Sequence, residues 1–337
     1  MLSEIFRKRS LPLLVIFFFI FYALLVFSAT RADLPDRDHP IKLYSNQTRQ
    51  DIKLKYLQAL AKANQSIFLC VYGITDPQVL AVIRKKASEN LDISLEYDRS
   101  ASSSLKKILP SSIKITPVKT SGLMHRKIVS IDNGQVFLGS ANLTSSSLRH
   151  HANLVIGIYH PPLAAFLESP ITPFYFFQVQ KQKAEVYLFP DPLKNGLSRL
   201  ISLIDESKKK ITIAMFTMTH QEISKALIRA KNRGVSISIA VDAYTARGAS
   251  KKTIQSLAKE GIKIFLSQGK ELLHHKWATI DERTLVMGSA NWTKAAFNKN
   301  HDILFFLTPL DKKQRRFLEQ LWTIIEYESI DVKDTII

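Results

Sequence analysis

The sequence of 337 residues contains a single cysteine, Cys70. One thiol cannot form a disulfide within the chain, so cysteine usage leaves the redox compartment undetermined. The sequence also lacks any spacing of cysteines and histidines that is typical of a structural zinc site. Because Cys70 lies inside the apolar run from Ile67 to Tyr72, we expect it to be a small core residue.

Acidic residues are scarce as well, with 29 Asp and Glu against 47 Lys and Arg, which gives a formal charge of +18. So basic a chain favours polyanionic partners, either nucleic acid or a membrane rich in anionic lipid. Charge does not separate these two, and a basic surface that serves solubility alone is the plainer alternative. With 46% hydrophobic residues, the chain can bury a large core as one big domain or two fused ones.

Charged residues are absent from Ser10–Thr30, a run that is dense in Leu, Ile, Val and Phe. Its length suffices for a helix to cross a hydrocarbon core of ~30 Å. Arg7, Lys8 and Arg9 precede the run and would keep that end in the cytoplasm, so the remainder would be exported. Because no clean Ala-x-Ala site follows, we predict that residues 1–32 form an uncleaved signal-anchor rather than a cleaved signal peptide. The rest of the chain is then membrane-anchored on the periplasmic or extracellular side, or secreted if cleavage occurs.

Beyond about residue 40 the sequence runs twice through one plan of alternating helices and strands. The first copy predicts helix 54–61, strand 66–72, a helix that starts at Asp76-Pro77, and strand 91–98. The second copy predicts helix 197–204, strand 211–218, a helix that starts with a Thr219–Glu222 capping box, and strand 235–242. This alternation predicts an α/β fold of two tandem, pseudo-symmetric lobes with mixed β-sheets flanked by helices, preceded by the one membrane helix.

The lobes are predicted to span residues 40–160 and 185–329, joined by a linker of residues 161–184. The linker is rich in proline and contains the aromatic cluster Phe174–Phe177. We expect this cluster to pack between the halves, with contact to lipid at a site entrance as the alternative.

Six matched identities late in each copy form the sharpest signal in the sequence. The first set is His125, Lys127, Asp132, Gly139, Ser140 and Asn142. The second set, 149 residues later, is His274, Lys276, Asp281, Gly288, Ser289 and Asn291. A lone His-x-Lys pair is usually a solvated strand surface, whereas duplication at fixed spacing indicates a shared site.

The spacing of each motif has a physical logic. In a strand, His125 and Lys127 emerge on one face, as do His274 and Lys276, so each copy presents an imidazole and an ammonium group together. The lysines can neutralise phosphoryl oxygens, while one histidine attacks phosphorus and the other protonates the leaving oxygen. No carboxylates accompany the histidines as a catalytic metal would require, so we predict neither a metal nor a cofactor.

The remaining motif positions have predicted supporting roles. Glycine permits a close backbone approach, and the following Ser140 and Ser289 are expected to donate to the phosphate anion. Asn142 and Asn291 could donate to the same anion or cap the next helix. Asp132 and Asp281 are counted with the catalytic motif, although their position in turns after strands makes anchoring of the loop the more natural role.

The duplicated pattern His-x-Lys-x4-Asp-x6-Gly-Ser-x-Asn resembles the paired signature of the phospholipase D superfamily, and the resemblance covers nearly all of the chain after residue 40. It implies two similar lobes whose motifs meet at one cleft, with no metal needed. It also implies that the first-copy histidine, His125, is the nucleophile and that His274 is the acid and base.

In this superfamily an acidic residue beyond the motif often orients the histidine. Asp302 lies 28 residues after His274 and is the candidate, whereas the equivalent position after His125 is Asn153. A carboxylate stabilises imidazolium and asparagine can only orient the ring, so we expect His274, with Asp302, to be the proton donor. The alternative is that Asp302 is an ordinary surface charge.

The predicted function is a membrane-associated phospholipase D-type phosphodiesterase that hydrolyses phospholipid headgroups through a phosphohistidine. The alternatives are a metal-independent nuclease, a phosphatidyltransferase similar to cardiolipin synthases, and a catalytically silent lipid-binding protein. The substrate is therefore an anionic phospholipid or a nucleic-acid phosphodiester. Because the motif is duplicated within one chain, a monomer suffices.

Overall fold

The computed structural model describes residues 15–22, 33–269 and 271–332. The chain divides into two units, Met1–Asp33 and Leu34–Ile337. Residues 15–22 of the first unit are helical and exposed, and the rest of the predicted membrane segment lies outside the described residues. No helix among the residues described is both long and apolar enough to span a bilayer. The signal-anchor therefore stays a prediction from sequence.

The second unit contains two mixed β-sheets, which confirms the predicted α/β class. The strands of the first sheet are β1 (Ile41–Tyr44), β2 (Ser66–Val71), β3 (Asp92–Asp98), β4 (Lys114–Val118), β5 (Lys127–Ile131), β6 (Gln135–Gly139) and β7 (Val155–Tyr159). The strands of the second are β8 (Phe174–Val179), β9 (Gln182–Leu188), β10 (Lys210–Met215), β11 (Ser236–Val241), β12 (Lys263–Ser267), β13 (Lys276–Ile280), β14 (Thr284–Gly288), β15 (Ile303–Thr308) and β16 (Ser329–Asp331).

The strand order repeats between the sheets, as the duplicated sequence predicts. The first order is β1-β7-β6-β5-β2-β3-β4, and the second is β16-β12-β11-β10-β13-β14-β15-β9-β8. In each sheet three parallel strands (β2-β3-β4 or β10-β11-β12) adjoin an antiparallel set that begins with β5 or β13. The parallel strands therefore end at the edge where β5 and β13 begin, so both motifs lie at the same edge of their sheets.

Helices connect these strands, and the predicted helices 54–61 and 197–204 each end within two residues of the observed bounds. The longer ones are Ile52–Ala61, Pro77–Ser88, Pro161–Glu168, Asn195–Glu206, Gln221–Asn232, Lys251–Lys259 and Lys312–Tyr327. The shorter ones are Asn46–Thr48 (a 3-10 turn), Leu105–Ile108, Ser145–Arg149, Ala243–Arg247 and Lys294–Asn298. Asp76 caps its helix as predicted, with Pro77 in the first turn. The Thr219–Glu222 capping box was wrong, because the helix begins one residue later, after His220, without a side-chain cap.

The predicted linker is more regular than its prolines suggested. His160 caps the helix Pro161–Glu168 and the two prolines occupy its first turn, where their missing N–H groups cost nothing. Phe174–Val179 then forms the outer strand β8, which pairs with β9 in the second sheet. Within the aromatic cluster, Tyr175 and Phe177 pack on the central core, while Phe176 is 55% exposed.

One hydrophobic cluster joins the two sheets into a single core. It contains side chains of the first sheet such as Ile128 and Leu138, and of the second such as Trp277 and Phe305. The helix Lys312–Tyr327 contributes Leu321 to the same cluster. Cys70 is buried in it, as predicted, and burial raises the pKa of its thiol to about 12. The shared core fixes the two sheet edges that carry the motifs against each other.

Candidate active site

Two short β-bridges connect the lobes directly at the motifs. Met124 pairs with His301, and Ala152 pairs with Leu273, in the parallel sense. The backbone N–H of His125 donates to the His301 carbonyl oxygen over 2.8 Å. In each bridge the motif histidine directly follows one bridged residue, and the candidate orienting residue directly follows the other. The register of the chain therefore brings His125 next to Asp302 and Asn153 next to His274.

The orienting residues are consequently exchanged between the lobes. His125 Nδ1 lies 2.8 Å from Asp302 Oδ1, and His274 Nδ1 lies 3.1 Å from Asn153 Oδ1. All four side chains are buried. The expected pairing of Asp302 with His274 was wrong, because sequence distance within a copy does not reveal contacts between copies. The structure also excludes the alternative that Asp302 is a surface charge, since its residue exposure is 0%.

The two motif serines hold the orienting residues rather than face an anion. Ser140 Oγ donates to Asn153 Oδ1 over 2.8 Å, and Ser289 Oγ donates to Asp302 Oδ1 over 2.6 Å. The Oγ atom of Ser140 also accepts from the backbone N–H of Leu154, and the Oγ atom of Ser289 accepts from that of Ile303. The predicted phosphate-binding role of these serines is therefore wrong, because the single hydroxyl hydrogen of each is already donated.

The motif glycines let the strands approach closely at this point. A Cβ on Gly139 would lie 2.2 Å from the Leu154 carbonyl oxygen, and one on Gly288 would lie 2.1 Å from that of Ile303. The close approach that the sequence predicted is thus between neighbouring strands, not toward a bound anion. It brings Ser140 and Ser289 within reach of the residues that orient the histidines.

The motif aspartates anchor strands at the opposite edge of the sheets. Asp132 accepts hydrogen bonds from the backbone N–H groups of Asn64, Gln65 and Ser66 at 2.8–3.1 Å. Asp281 accepts likewise from the N–H groups of Lys208, Lys209 and Lys210. Their inclusion among the catalytic residues is corrected, because β5 and β13 run away from the histidines and carry the turns to the far edge. The anchoring role expected from their position is the one observed.

We expect Asp132→Ala to lower the free energy of unfolding by about 2–3 kcal/mol, because three backbone donors lose a charged acceptor. Turnover per folded molecule should stay within about twofold of the parent, since the carboxylate is remote from the histidines. Thermal and urea unfolding measure the first effect, and Asp38→Ala, an exposed aspartate, is the matched control with a change within ~0.5 kcal/mol. A loss of turnover beyond tenfold at temperatures where the variant is folded would restore Asp132 to the catalytic set.

The motif asparagines do not cap the helices that follow them. Thr144 and Thr293 do so, each accepting from the N–H of the third residue on. The Oδ1 atoms of Asn142 and Asn291 are buried without a hydrogen-bond partner. A carbonyl oxygen only accepts hydrogen bonds, so an anion would have to be bound by the Nδ2 group of each amide, and anion binding stays the role that we propose for these groups.

The two motif lysines lie over aromatic rings inside the site. Lys127 Nζ is 5.2 Å from the ring centroid of Tyr72, and Lys276 Nζ is 5.2 Å from that of Phe216. Each ammonium group also donates to the carbonyl oxygen of its own motif histidine, at 2.5 Å and 2.9 Å respectively. Tyr72 and Phe216, which lie 144 residues apart in the sequence, thus occupy matching positions in the two lobes.

Burial weakens the charged forms of all four motif side chains. Desolvation lowers the pKa of Lys127 to about 7, and it lowers the pKa of Lys276 well below its usual value, assisted by the charge of Lys127. Desolvation and Lys127 lower the pKa of His125, against the opposing effect of Asp302. The pKa of His274 is lowered by desolvation and then by Lys276 and Lys127. The charges of each motif therefore act on the other, and an anion between them would relieve the mutual repulsion.

Three supporting side chains were missed or left without a role by sequence reasoning. Asp98, the last residue of β3, and Asp242, directly after β11, accept from the backbone N–H groups of Met124 and Leu273, just before the histidines. These two aspartates lie 144 residues apart, the same offset as Tyr72 and Phe216, but nothing in the sequence indicated their contacts. His151 lies with its ring centroid 5.9 Å from that of His274, and its position corresponds to Asn300 in the other copy.

Within residues 15–22, 33–269 and 271–332, no group of three or more His, Cys, Asp or Glu is arranged to hold a metal ion.

The chain matches the family described as "Cardiolipin synthase, PLD-like domain" over residues 56–171 and again over residues 200–325. The two matches cover more than half of the 337 residues, and each contains one complete motif. The chain therefore belongs to the phospholipase D-like family, which confirms the resemblance read from the motifs.

Curated relatives share this family. Human mitochondrial cardiolipin hydrolase is 31% identical over 134 residues, which is 40% of this chain and 52% of the human protein. Cardiolipin synthase A of Buchnera aphidicola is 25% identical over 241 residues, which is 62% of this chain and 49% of that protein. The matched region thus spans about half the length of these relatives.

Among solved structures, phosphatidylserine synthase of Haemophilus influenzae superposes with a TM-score of 0.71 over 89% of this chain and 90% of the synthase. The sequence identity is 12%, so this similarity concerns the fold alone. It covers both lobes and agrees with the duplicated architecture.

Proposed function

We propose that this protein is a phosphodiesterase that hydrolyses phospholipid headgroups through a phosphohistidine intermediate. The observation that carries the proposal is the exchange of orienting residues, because His125–Asp302 and His274–Asn153 can form only when both motifs face one site. A single phosphodiester is the group that two imidazoles and two ammonium groups in one buried site would bind and cleave.

In the first step the lone pair of His125 Nε2 attacks phosphorus, and the bond from phosphorus to the headgroup oxygen breaks. His274 Nε2–H gives its proton to that leaving oxygen, so the headgroup departs as a neutral alcohol. Asp302 accepts from His125 Nδ1 and stabilises the positive charge that the ring acquires with the new N–P bond. Lys127 and Lys276 neutralise the phosphoryl oxygens, and the amides of Asn142 and Asn291 donate to them.

In the second step water attacks phosphorus and gives a proton to His274 Nε2. The N–P bond breaks, and its electron pair returns to His125. The products are phosphatidic acid and the free alcohol, and both histidines regain their starting protonation states. An alcohol in place of water would give headgroup transfer, which the same residues support.

Two observations support a lipid substrate. The uncharged run of residues 10–30 would tether the chain to a bilayer, with the remainder on the exported side. Relatives named cardiolipin hydrolase and cardiolipin synthase hydrolyse or make, by their names, one anionic phospholipid, and such a lipid suits a chain of charge +18. Cardiolipin is therefore the first substrate to test.

The full-length chain in mixed micelles with EDTA tests the proposal against cardiolipin, phosphatidylglycerol, phosphatidylcholine, single-stranded DNA and RNA. We expect release of phosphatidic acid from at least one phospholipid, unaffected by EDTA. Cleavage of nucleic acid without action on any lipid would replace the proposed substrate. Formation of a new phosphodiester without net hydrolysis would identify a transferase, and inactivity on all diesters would favour a lipid-binding role.

A further inference from the structure

The two catalytic histidines are oriented by different chemical groups, and this breaks the pseudo-twofold symmetry at the centre of the site. Asp302 and Asn153 occupy equivalent positions, each clamped by the equivalent serine hydroxyl. Both are completely buried. The difference of a single heavy atom therefore places a carboxylate against His125 and a neutral amide against His274.

Hydrogen bonds on both ends of Asn153 fix which way its amide points. Its Nδ2 donates to the carbonyl oxygens of Ser147 and His151 over 2.8 Å and 3.2 Å. Its Oδ1 accepts from Ser140 Oγ. In the reverse orientation Oδ1 would face the carbonyl oxygens of Ser147 and His151, and both contacts would become repulsive. The oxygen must therefore face His274.

An acceptor at this position determines the tautomer of His274. The ring must carry a hydrogen on Nδ1, and in the neutral ring Nε2 then carries the lone pair. The charged groups around the ring are Lys276 on its own strand, Lys127 and His125 from the other lobe, and His151 from the loop after the helix Ser145–Arg149. Two lysines lie near the ring and an amide lies behind it, and in the part of the chain that the structure describes no carboxylate is hydrogen-bonded to the ring to stabilise a second proton.

We propose that Asn153 holds His274 as the neutral Nδ1–H imidazole in the free enzyme, so that the proton destined for the leaving oxygen is taken up together with the anionic substrate. The bound diester supplies the negative charge that the amide lacks, because it lies between the two lysines. Asn153 is on this account a positioning residue that couples substrate binding to protonation of the acid. The inference rests on the proposed phosphodiester chemistry.

The direction of the effect follows from which group lies behind the ring. A carboxylate within about 4 Å favours imidazolium and raises the pKa of a histidine by roughly 1–3 units relative to an amide. We therefore expect Asn153→Asp to raise the pKa of His274 in the free enzyme. The alkaline limb of kcat/KM should move to higher pH by one unit or more, because His274 then keeps its proton over a wider range.

The test is NMR titration of the His274 ring in the full chain, labelled at histidine and assigned by comparison with His274→Gln. Without ligand, His274 of the parent should titrate below its ordinary value of about 6.5 and should shift upward in saturating sulfate, a non-titrating anion. In Asn153→Asp the ring should already titrate higher without sulfate, and sulfate should add less. A parent ring that titrates at or above 6.5 and does not respond to sulfate or to Asn153→Asp would overturn the proposal.

Two further variants separate electrostatics from damage to the fold. Asn153→Ala removes the acceptor without adding charge, so kcat should fall while the alkaline limb does not move upward. Asp302→Asn replaces the carboxylate beside His125 with a neutral amide, so the pKa of His125 should fall. Because the titration needs no turnover, an inactive chain whose His274 titrates as expected would refute the proposed function and keep this inference, whereas an active chain with an unresponsive ring would do the reverse.

Discussion

Replacing His125 by asparagine is expected to lower kcat for phosphodiester hydrolysis by about 10⁴-fold or more. The variant loses the only Nε2 lone pair that Asp302 supports, so no phosphohistidine can form. Asparagine keeps a polar side chain near Asp302 and limits the disturbance of the buried pair. Steady-state hydrolysis of the preferred phospholipid, corrected for folded protein, measures the effect.

The matched control for that prediction is His39→Asn. His39 is an exposed histidine near Pro40, at the edge of the first sheet that lies opposite the motifs. Its removal should leave kcat within about twofold of the parent. If His125→Asn retained more than a tenth of the parent activity, His125 would not be the nucleophile, and a direct attack by water would become the better mechanism.

The second large effect is expected at Lys127, where a substitution should lower activity and raise the stability of the folded protein. Replacing this lysine by methionine should reduce turnover by about 10²–10³-fold, because the developing charge on the phosphoryl oxygens loses a buried cation. The same variant should be more stable than the parent without ligand at pH 6–7, by roughly 1–4 kcal/mol, because burial lowers the pKa of Lys127 to about 7 and methionine removes the cost of desolvating its ammonium group.

The pH dependence of this stability has a definite sign. Burial lowers the pKa of Lys127 to about 7 in the folded chain, against about 10.4 in the unfolded chain. Between these values the unfolded state binds more protons, so the contribution of Lys127 to stability rises with pH from about 7 to 10. Lys127→Met should lack this rise.

Chemical unfolding of the parent and Lys127→Met across that pH range measures the difference. Lys85→Met is the control, because the Lys85 side chain is 76% exposed and its removal should change stability by less than ~0.5 kcal/mol. A Lys127→Met protein that is less stable than the parent at pH 6–7 would mean that Asp302 compensates fully for the buried charge.

Much of the architecture follows from local sequence signals. Hydrophobic spacing and the Asp76-Pro77 start signal predicted the first long helices of each lobe and the strands next to them, because these depend on neighbours within one element. The duplication predicted two equivalent sheets. The proline-rich segment misled, because Pro161 and Pro162 start a helix rather than interrupt one. No periodicity over so short an aromatic run as Phe174–Phe177 could show that it becomes the outer strand of a sheet.

In the site, too, the features that depend on local contacts could be predicted, and those that depend on distant contacts could not. The placement of His125 and Lys127 on one face depends on strand geometry and could be predicted. The partner of each histidine depends on the β-bridges between lobes, so Asp302 was assigned to the wrong ring. Ser140 and Ser289 were misread for a related reason, since their acceptors lie 13 residues along the chain on an adjacent strand.

The phosphohistidine at His125 is the central claim, and trapping it is the most direct test. In His274→Ala the attack still forms the N–P bond slowly with a substrate whose leaving group needs no proton, but no base activates water. Mass spectrometry of the peptides after a quench at alkaline pH should find the phosphoryl group on His125. A phosphoryl group on another residue, or none while such a substrate turns over, would contradict the account.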